Sequence, residues 1–127
     1  MKTLFSRTNL TILIADTDSS VARTFRRLLE KKGYKVDVAE TAKEACKQLS
    51  KHHYESALID IELLEMDCIT QSQAAKISPE TLKIIFTDFP KLKNSIEDDQ
   101  NTTIYLEKPI QPEKLLKLLE EKLKRKD

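Results

Sequence analysis

The feature of this sequence that most constrains its fold is an alternation of short apolar runs with longer segments of helical periodicity. Strand-like apolar runs occur at residues 10–15, 34–38, 56–61, 82–86 and 103–106. Runs of this length and composition are typical of strands that are covered on both faces. Because the strands alternate with helical segments, the pattern predicts a parallel sheet in an α/β fold.

Three segments carry clear helical signals. In residues 19–32 apolar side chains recur at helical spacing, and Gly33, the only glycine of the chain, follows as a stop signal. Thr41 and Glu44 form a capping box at the start of a second helix. After Lys108-Pro109, a helix with Pro112 in its first turn places several leucines on one broad face.

Two further helices are expected in the middle of the chain. Residues 69–77 predict a short helix that ends before Ser78-Pro79. The stretch between Asp88 and Thr102 has few apolar anchors, so we expect a short or irregular helix there. The sequence therefore predicts five helices in all.

Length and composition bound the architecture. With 127 residues, of which 39% are hydrophobic and 34% charged, the chain fits one domain with a core over about residues 10–123 and loose ends at 1–8 and 124–127. A net charge of +1 argues against direct nucleic-acid binding, and the apolar runs are too short to span a membrane. Cys46 and Cys68 match no redox or zinc pattern, so we expect reduced cysteines and a cytoplasmic protein.

The residues that follow the strands carry the candidate chemistry. Asp16, Asp60, Thr87 and Lys108 lie at or just beyond the ends of the first, third, fourth and fifth strands. Ligands of open parallel sheets bind outside the carboxyl ends of the strands, so these side chains should converge. Asp60 could then act as a nucleophile toward a phosphoryl group, with a divalent metal held partly by Asp16, and Lys108 and Thr87 could contact the phosphoryl oxygens.

Four motifs, ILIADTD, SALIDIELLEMD, IIFTD and YLEKPI, occur in this order along the chain. Together they resemble the response-regulator receiver domain of two-component signalling, over about residues 10–123. The resemblance implies a flavodoxin-like, doubly wound sheet of five parallel strands in the order 2-1-3-4-5. It also implies a phosphorylation-switched signalling domain whose only covalent chemistry takes place on itself.

The resemblance assigns a role to each matching residue. Asp60 would be the phosphoacceptor, Asp16 a member of the acidic pocket, Thr87 the switch hydroxyl, Lys108 the phosphate-sensing lysine and Tyr105 the switch aromatic residue. It further implies a cis peptide bond between Lys108 and Pro109.

The resemblance also implies a cofactor, Mg²⁺. Its expected ligands are Asp16, Asp60 and the backbone carbonyl of Glu62, and Asp18 is a further candidate if its side chain turns inward. Receivers usually carry a second acidic residue where this chain has Thr17, so we expect weakened metal binding.

Two other departures concern the surroundings of the phosphoacceptor. Asp88 follows the switch threonine, where receivers usually have a small residue, and its charge could repel a phosphoryl group or help to bind the metal. The loop 63–68 lacks the proline and glycine that are usual after the phosphoacceptor.

The expected partners are a sensor histidine kinase or phosphotransfer protein and a downstream protein target, and self-association through the last strand and helix stays open. Two alternatives also remain. The departures fit a degenerate receiver that acts as a constitutive protein-interaction module. Alternatively, Asp16 and Asp18 resemble the D-x-D motif of haloacid-dehalogenase-like phosphatases, in which Lys108 and Asp98-Asp99 would imitate the downstream lysine and acidic pair.

Overall fold

The computed structural model describes residues 10–65, 80–88 and 103–123. The strands are β1 (Thr11–Ala15), β2 (Lys35–Ala39), β3 (Ser56–Asp60), β4 (Leu82–Thr87) and β5 (Thr103–Glu107). The helices are α1 (Ser19–Lys31), α2 (Ala42–Lys51) and α3 (Pro112–Leu123), and a 3-10 turn, Ile61–Glu65, follows β3. The strands form one sheet in the order β2-β1-β3-β4-β5, and each neighbouring pair is parallel. The predicted α/β fold and strand order are confirmed.

The sheet is covered on both faces. On one face, α1 and α3 pack on side chains such as Ile14 and Phe86, and Phe25 of α1 lies 5.9 Å from Phe86 between ring centroids. On the other face, Ala42 and Ala45 of α2 pack on alternate strand residues, among them Leu13, Ile59 and Ile85. The central strands bury both of their faces, which explains why they appear in the sequence as continuous apolar runs.

The helix signals of the sequence are realised in the structure. Thr41 Oγ1 accepts a hydrogen bond from the Glu44 backbone N–H at 3.1 Å, while the Glu44 carboxylate accepts from the Glu40 N–H at 2.8 Å. Gly33 has φ 98°, a conformation in which glycine avoids the steric cost of a Cβ, and it ends α1 as predicted. Helix α3 begins at Pro112, where a missing N–H costs nothing.

The predicted strand boundaries hold to within one residue. Strand β2 begins at Lys35 rather than Tyr34, because the Tyr34 N–H is hydrogen-bonded to the Leu29 carbonyl of α1 at 3.2 Å. Strand β4 continues through Thr87, which the sequence pattern placed just beyond it. The short helix expected at residues 69–77 and the irregular helix expected between Asp88 and Thr102 lie outside the described residues.

Cys46 differs from its predicted state. Cys46 of α2 is half-buried and disulfide-bonded, so the expectation of a reduced thiol is wrong for this residue. The spacing argument excluded a local redox pair, but it could not exclude pairing with a sulfur that folding brings near. Cys68, the other cysteine of the chain, lies outside the described residues.

Candidate functional site

Four predicted residues lie at the carboxyl edge of the sheet. Asp16 directly follows β1, and its backbone N–H donates to the Ala39 carbonyl at 3.0 Å, so the β1–β2 ladder continues to the aspartate. Asp60 and Thr87 are the last residues of β3 and β4. Lys108 directly follows β5, and its backbone N–H donates to the Thr87 carbonyl at 2.8 Å. Backbone hydrogen bonds of the sheet therefore fix the Cα positions of these four residues.

The central contact of the site is an ion pair between β3 and the residue after β5. Lys108 Nζ lies 2.7 Å from Asp60 Oδ2, with side-chain exposures of 28% and 6%. The two residues are 48 positions apart in the chain, and β4 lies between their strands. A charge-assisted hydrogen bond of this length, with the carboxylate almost fully buried, orients both groups strongly.

A backbone amide holds each of the two buried aspartates. The Asp18 N–H donates to Asp16 Oδ1 at 2.9 Å, and the Glu62 N–H donates to Asp60 Oδ1 at 2.9 Å. These amide donors were not predicted from the sequence, although aspartates that accept from the amide two residues later are a common turn pattern. The turn that follows each aspartate therefore fixes the orientation of its carboxylate.

The charges of the site act on one another. Burial raises the pKa of the Asp16 carboxyl, and the negative charge of Asp60 adds to this effect, while the Asp18 amide and Lys108 oppose it. Burial alone would lower the pKa of Lys108, but the hydrogen bond to Asp60 and the charges of Asp60, Asp88 and Asp16 outweigh it, so that this pKa is raised. Lys108 is therefore the shared counter-charge of the cluster.

Asp18 serves the helix rather than the pocket. Its Oδ1 accepts from the Ser20 hydroxyl at 2.8 Å, from the Ser20 N–H at 3.0 Å and from the Val21 N–H at 3.4 Å, so it is the N-cap of α1. The Ser20 hydroxyl and these amides lower the pKa of the Asp18 carboxyl. This capping role also removes the second carboxylate that the phosphatase alternative needs beside Asp16.

The remaining predicted residues differ in their surroundings. Thr87 is fully buried at the end of β4, and Asp88 directly after it is exposed but acts electrostatically on Lys108. Tyr105 pairs in register with Ile85 and packs, half-buried, against the core on the α2 face. The Lys108-Pro109 peptide bond is cis, as the resemblance implied.

The donor set suits a magnesium ion that keeps much of its own hydration. Within residues 10–65, 80–88 and 103–123, no three acidic, histidine or cysteine side chains converge as a ready-made metal cage. Asp16 and Asp60 nevertheless supply two carboxylates, and Mg²⁺ is usually bound by one or two carboxylates together with water and phosphate oxygens. Thr17 is exposed and Asp18 caps α1, so the protein offers few further ligands.

None of the helices that the structure describes is long and apolar enough to cross a membrane.

Comparison with known sequences matches residues 12–120 to the response regulator receiver domain family. The chain is 28% identical over 117 residues to the transcriptional regulatory protein ZraR of Escherichia coli, covering 91% of this chain and 26% of that protein. It is 30% identical over 108 residues to the alginate biosynthesis transcriptional regulatory protein AlgB of Pseudomonas aeruginosa, and this match covers 82% of this chain and 24% of AlgB. The chain thus spans about a quarter of the length of these relatives.

Solved structures give the same result. A CheY-like response regulator receiver domain protein from Methanospirillum hungatei superposes with a TM-score of 0.72 at 32% identity, covering 90% of this chain and 93% of that one. The receiver domain of the hybrid histidine kinase CckA, at 18% identity and a TM-score of 0.69, shares the fold. With two buried aspartates and a lysine gathered at the carboxyl edge of a 2-1-3-4-5 sheet, this chain belongs to the response regulator receiver domain family.

Proposed function

We propose that this receiver domain accepts a phosphoryl group on Asp60 from the phosphohistidine of a sensor histidine kinase or phosphotransfer protein. The observation that carries the proposal is the 2.7 Å contact between Lys108 Nζ and Asp60 Oδ2 at the carboxyl edge of the sheet. Receiver domains are signalling domains that interact with such kinases and phosphotransfer proteins. We take residues 10–123 as the unit that performs this function.

The proposed reaction needs little chemistry from the protein beyond orientation. An Asp60 carboxylate oxygen attacks the phosphorus atom, the bond from phosphorus to the imidazole nitrogen breaks, and the histidine leaves with the electron pair. The product is an acyl phosphate on Asp60, which water later hydrolyses. Lys108 already lies at the carboxylate and would contact a phosphoryl oxygen, and Thr87 would supply a hydroxyl from the end of β4.

Magnesium fits this reaction because the site otherwise repels the donor. Among the described residues, Asp16, Asp60 and Asp88 bring three carboxylates against the ammonium group of Lys108, and an incoming phosphoryl group is also negative. Receiver domains typically bind Mg²⁺. Asp16 and Asp60, with the Glu62 backbone carbonyl, would hold the ion, which supplies positive charge toward the phosphoryl oxygens. The hydrogen bonds that Asp18 accepts as the N-cap of α1 favour Asp16 and Asp60 over Asp18 as the ligands.

The response to phosphorylation is proposed to run through β4 and β5. The Lys108 N–H is bonded to the Thr87 carbonyl, and Tyr105 lies three residues before Lys108 in β5. A shift of either site residue would therefore move the neighbouring strand ends. The half-buried Ile104 and Leu106 of β5 and Leu116 of α3, which pack on the same face of the sheet, form the surface that we assign to a downstream protein.

Intact-protein mass spectrometry after incubation with acetyl phosphate and Mg²⁺ tests the proposal. We expect an adduct of about 80 Da that hydroxylamine removes and that Asp60→Asn abolishes. Asp37→Asn is the matched control, because Asp37 is a partly buried aspartate of β2 that accepts from the Tyr54 hydroxyl at 2.7 Å, away from the site. This variant should keep the adduct.

The alternative function gives the opposite result. If the folded protein forms no adduct at high Mg²⁺, and beryllofluoride leaves the amide resonances of Asp60, Thr87 and Lys108 unchanged, the domain does not act as a phosphorylation switch. It would then be a constitutive interaction module, which the loss of an acidic ligand at Thr17 favours.

A further inference from the structure

A disulfide lies on α2, the helix that covers one face of the sheet. Cys46 of this helix is half-buried and disulfide-bonded. The sequence contains one other cysteine, Cys68, so Cys68 is the only partner that the chain itself offers. Cys68 follows Asp60 by eight positions. The bond therefore joins α2 to the segment of the chain that comes after Asp60.

The turn that directly follows Asp60 is anchored both to the α2 side of the core and to the site. It is the 3-10 turn Ile61–Glu65, and its Leu63 is 4% exposed in the buried cluster that includes Ala42 of α2. The Glu62 N–H of the same turn donates to Asp60 Oδ1 at 2.9 Å. A covalent bond that ties the chain beyond this turn to α2 therefore bears on the position of the Asp60 carboxylate.

The core does not depend on this bond. Disulfides are essential mainly in small domains that cannot bury enough apolar surface, whereas this sheet is covered by helices on both faces. The segment 63–68 contains neither proline nor glycine, the residues whose backbone preferences fix tight turns. A disulfide at the end of that segment is therefore better suited to restrain the turn than to hold the fold together.

The surroundings of Cys46 favour exchange of the bond with thiols. Exposed disulfides exchange more readily than buried ones, and Cys46 is only half-buried. Lys43 lies one helical turn before Cys46 and Lys47 directly after it, and both lysines are exposed. Positive charge near a cysteine favours the thiolate, which is the reactive form in exchange. These features are typical of a disulfide that responds to the redox poise around it.

We propose that the disulfide of Cys46 is a redox-sensitive restraint on the turn Ile61–Glu65 and thereby regulates the phosphorylation of Asp60. The structure shows the oxidised form, in which the Glu62 amide holds the Asp60 carboxylate. Reduction releases the chain beyond the turn from α2, so that the turn holds the carboxylate less firmly. The effect on phosphorylation rests on the proposed function of Asp60, whereas the effect on the turn does not.

The covalent step is a thiol–disulfide exchange with a small disulfide such as oxidised glutathione. The thiolate of one cysteine attacks this disulfide and releases one small thiol, and the thiolate of the other cysteine then attacks the mixed disulfide and releases the second. The protein loses two electrons to the small disulfide, and the two cysteine protons end on the two released thiols. Two molecules of reduced glutathione carry out the reverse step.

The first test follows the disulfide and the turn without any phosphorylation. The full chain is equilibrated in buffers with different ratios of reduced to oxidised glutathione, and free thiols are trapped with N-ethylmaleimide and counted by intact-protein mass spectrometry. We expect the bond to open at the glutathione poise of a reducing cytosol. The amide resonances of Asp60 and Glu62 should then shift, while those of Lys117 and Glu120 on α3 should stay unchanged.

The second test measures phosphorylation by acetyl phosphate with Mg²⁺ in both redox states. The reduced chain should form the adduct about 10-fold more slowly, because a looser turn orients the Asp60 carboxylate less well for attack. Cys46→Ser should show the slower rate with and without reductant, and Cys68→Ser, which removes the same bond from its other end, should behave alike. Ser50→Ala is the matched control and should keep the response to reductant, since Ser50 is exposed on α2 and its hydroxyl donates only to the nearby Lys47 carbonyl, at 3.0 Å.

Urea unfolding checks the fold of each form. Opening a loop of about 20 residues should raise the equilibrium constant for unfolding by about 100-fold and still leave the reduced chain folded. Four results would overturn the proposal: a disulfide that stays closed at every cytosolic glutathione ratio, a reduced chain that is unfolded without urea, identical Asp60 and Glu62 resonances in the two redox states, or equal rates of phosphorylation. If the resonances shift but neither form takes up a phosphoryl group, the phosphorylation proposal fails and the restraint on the turn stands.

Discussion

Replacing Lys108 with methionine should destabilise the domain, because it leaves the Asp60 carboxylate buried without a counter-charge. At 2.7 Å, two unit charges attract by about 6 kcal/mol in an effective dielectric constant of about 20. Most of this gain is offset in the native protein by the desolvation of both groups. Lys108 is 28% exposed, so water also screens the pair, and we expect Lys108→Met to lower the free energy of unfolding by about 2 kcal/mol.

A double-mutant cycle measured by urea unfolding isolates the ion pair from other effects of the substitution. In an Asp60→Asn background the lysine no longer neutralises a carboxylate at residue 60, so Lys108→Met should cost only about 0.5 kcal/mol there. The coupling free energy is then about 1.5 kcal/mol. Lys114→Met is the control, because Lys114 is exposed on α3, and it should change stability by less than about 0.5 kcal/mol. A coupling free energy near zero would refute the reasoning.

Three further predictions concern the charges of the site. Thr17→Asp should raise the affinity for Mg²⁺ by about 10-fold in an NMR titration, since it adds a carboxylate where the chain has an exposed hydroxyl; unchanged affinity would show that residue 17 cannot reach the ion. Asp88→Asn should speed phosphorylation by acetyl phosphate, because it removes a negative charge near Lys108, and an unchanged or slower rate would contradict a repulsive role. Asp16→Asn should stabilise the domain at pH 7, because burial and Asp60 raise the folded pKa of Asp16 above 3.8; the gain should vanish as pH falls below 3.8. Urea unfolding at both pH values checks the last prediction.

Much of the fold could be predicted because the signals were local. The central strands are buried on both faces and thus contain uninterrupted apolar residues, while Thr41 and Gly33 mark helix ends by their own backbone chemistry. The last residue of β4, in contrast, could not be predicted from local signals. Thr87 belongs to the strand because the Lys108 amide bonds to its carbonyl, a contact between residues 21 positions apart that no local pattern reveals.

The candidate site could be predicted as a set of strand-end residues but not as a geometry. Aspartate is both a metal ligand and a favoured N-cap, so the sequence could not decide between these roles for Asp18. In the structure Asp18 accepts three hydrogen bonds at the start of α1 and is the N-cap of this helix. The disulfide at Cys46 was missed for a related reason, since sequence spacing says little about distance in the folded chain.

The hydrogen bond from the Glu62 amide to Asp60 Oδ1 has a consequence for how the domain would signal. An acyl phosphate on that carboxylate removes the negative charge of the acceptor, so the hydrogen bond that anchors the main chain at the start of the 3-10 turn weakens in the same event. The peptide group of Glu62 would therefore report the covalent state of its neighbour before any larger rearrangement occurs. Transmission of the signal would begin in the backbone, within two residues of the modified side chain.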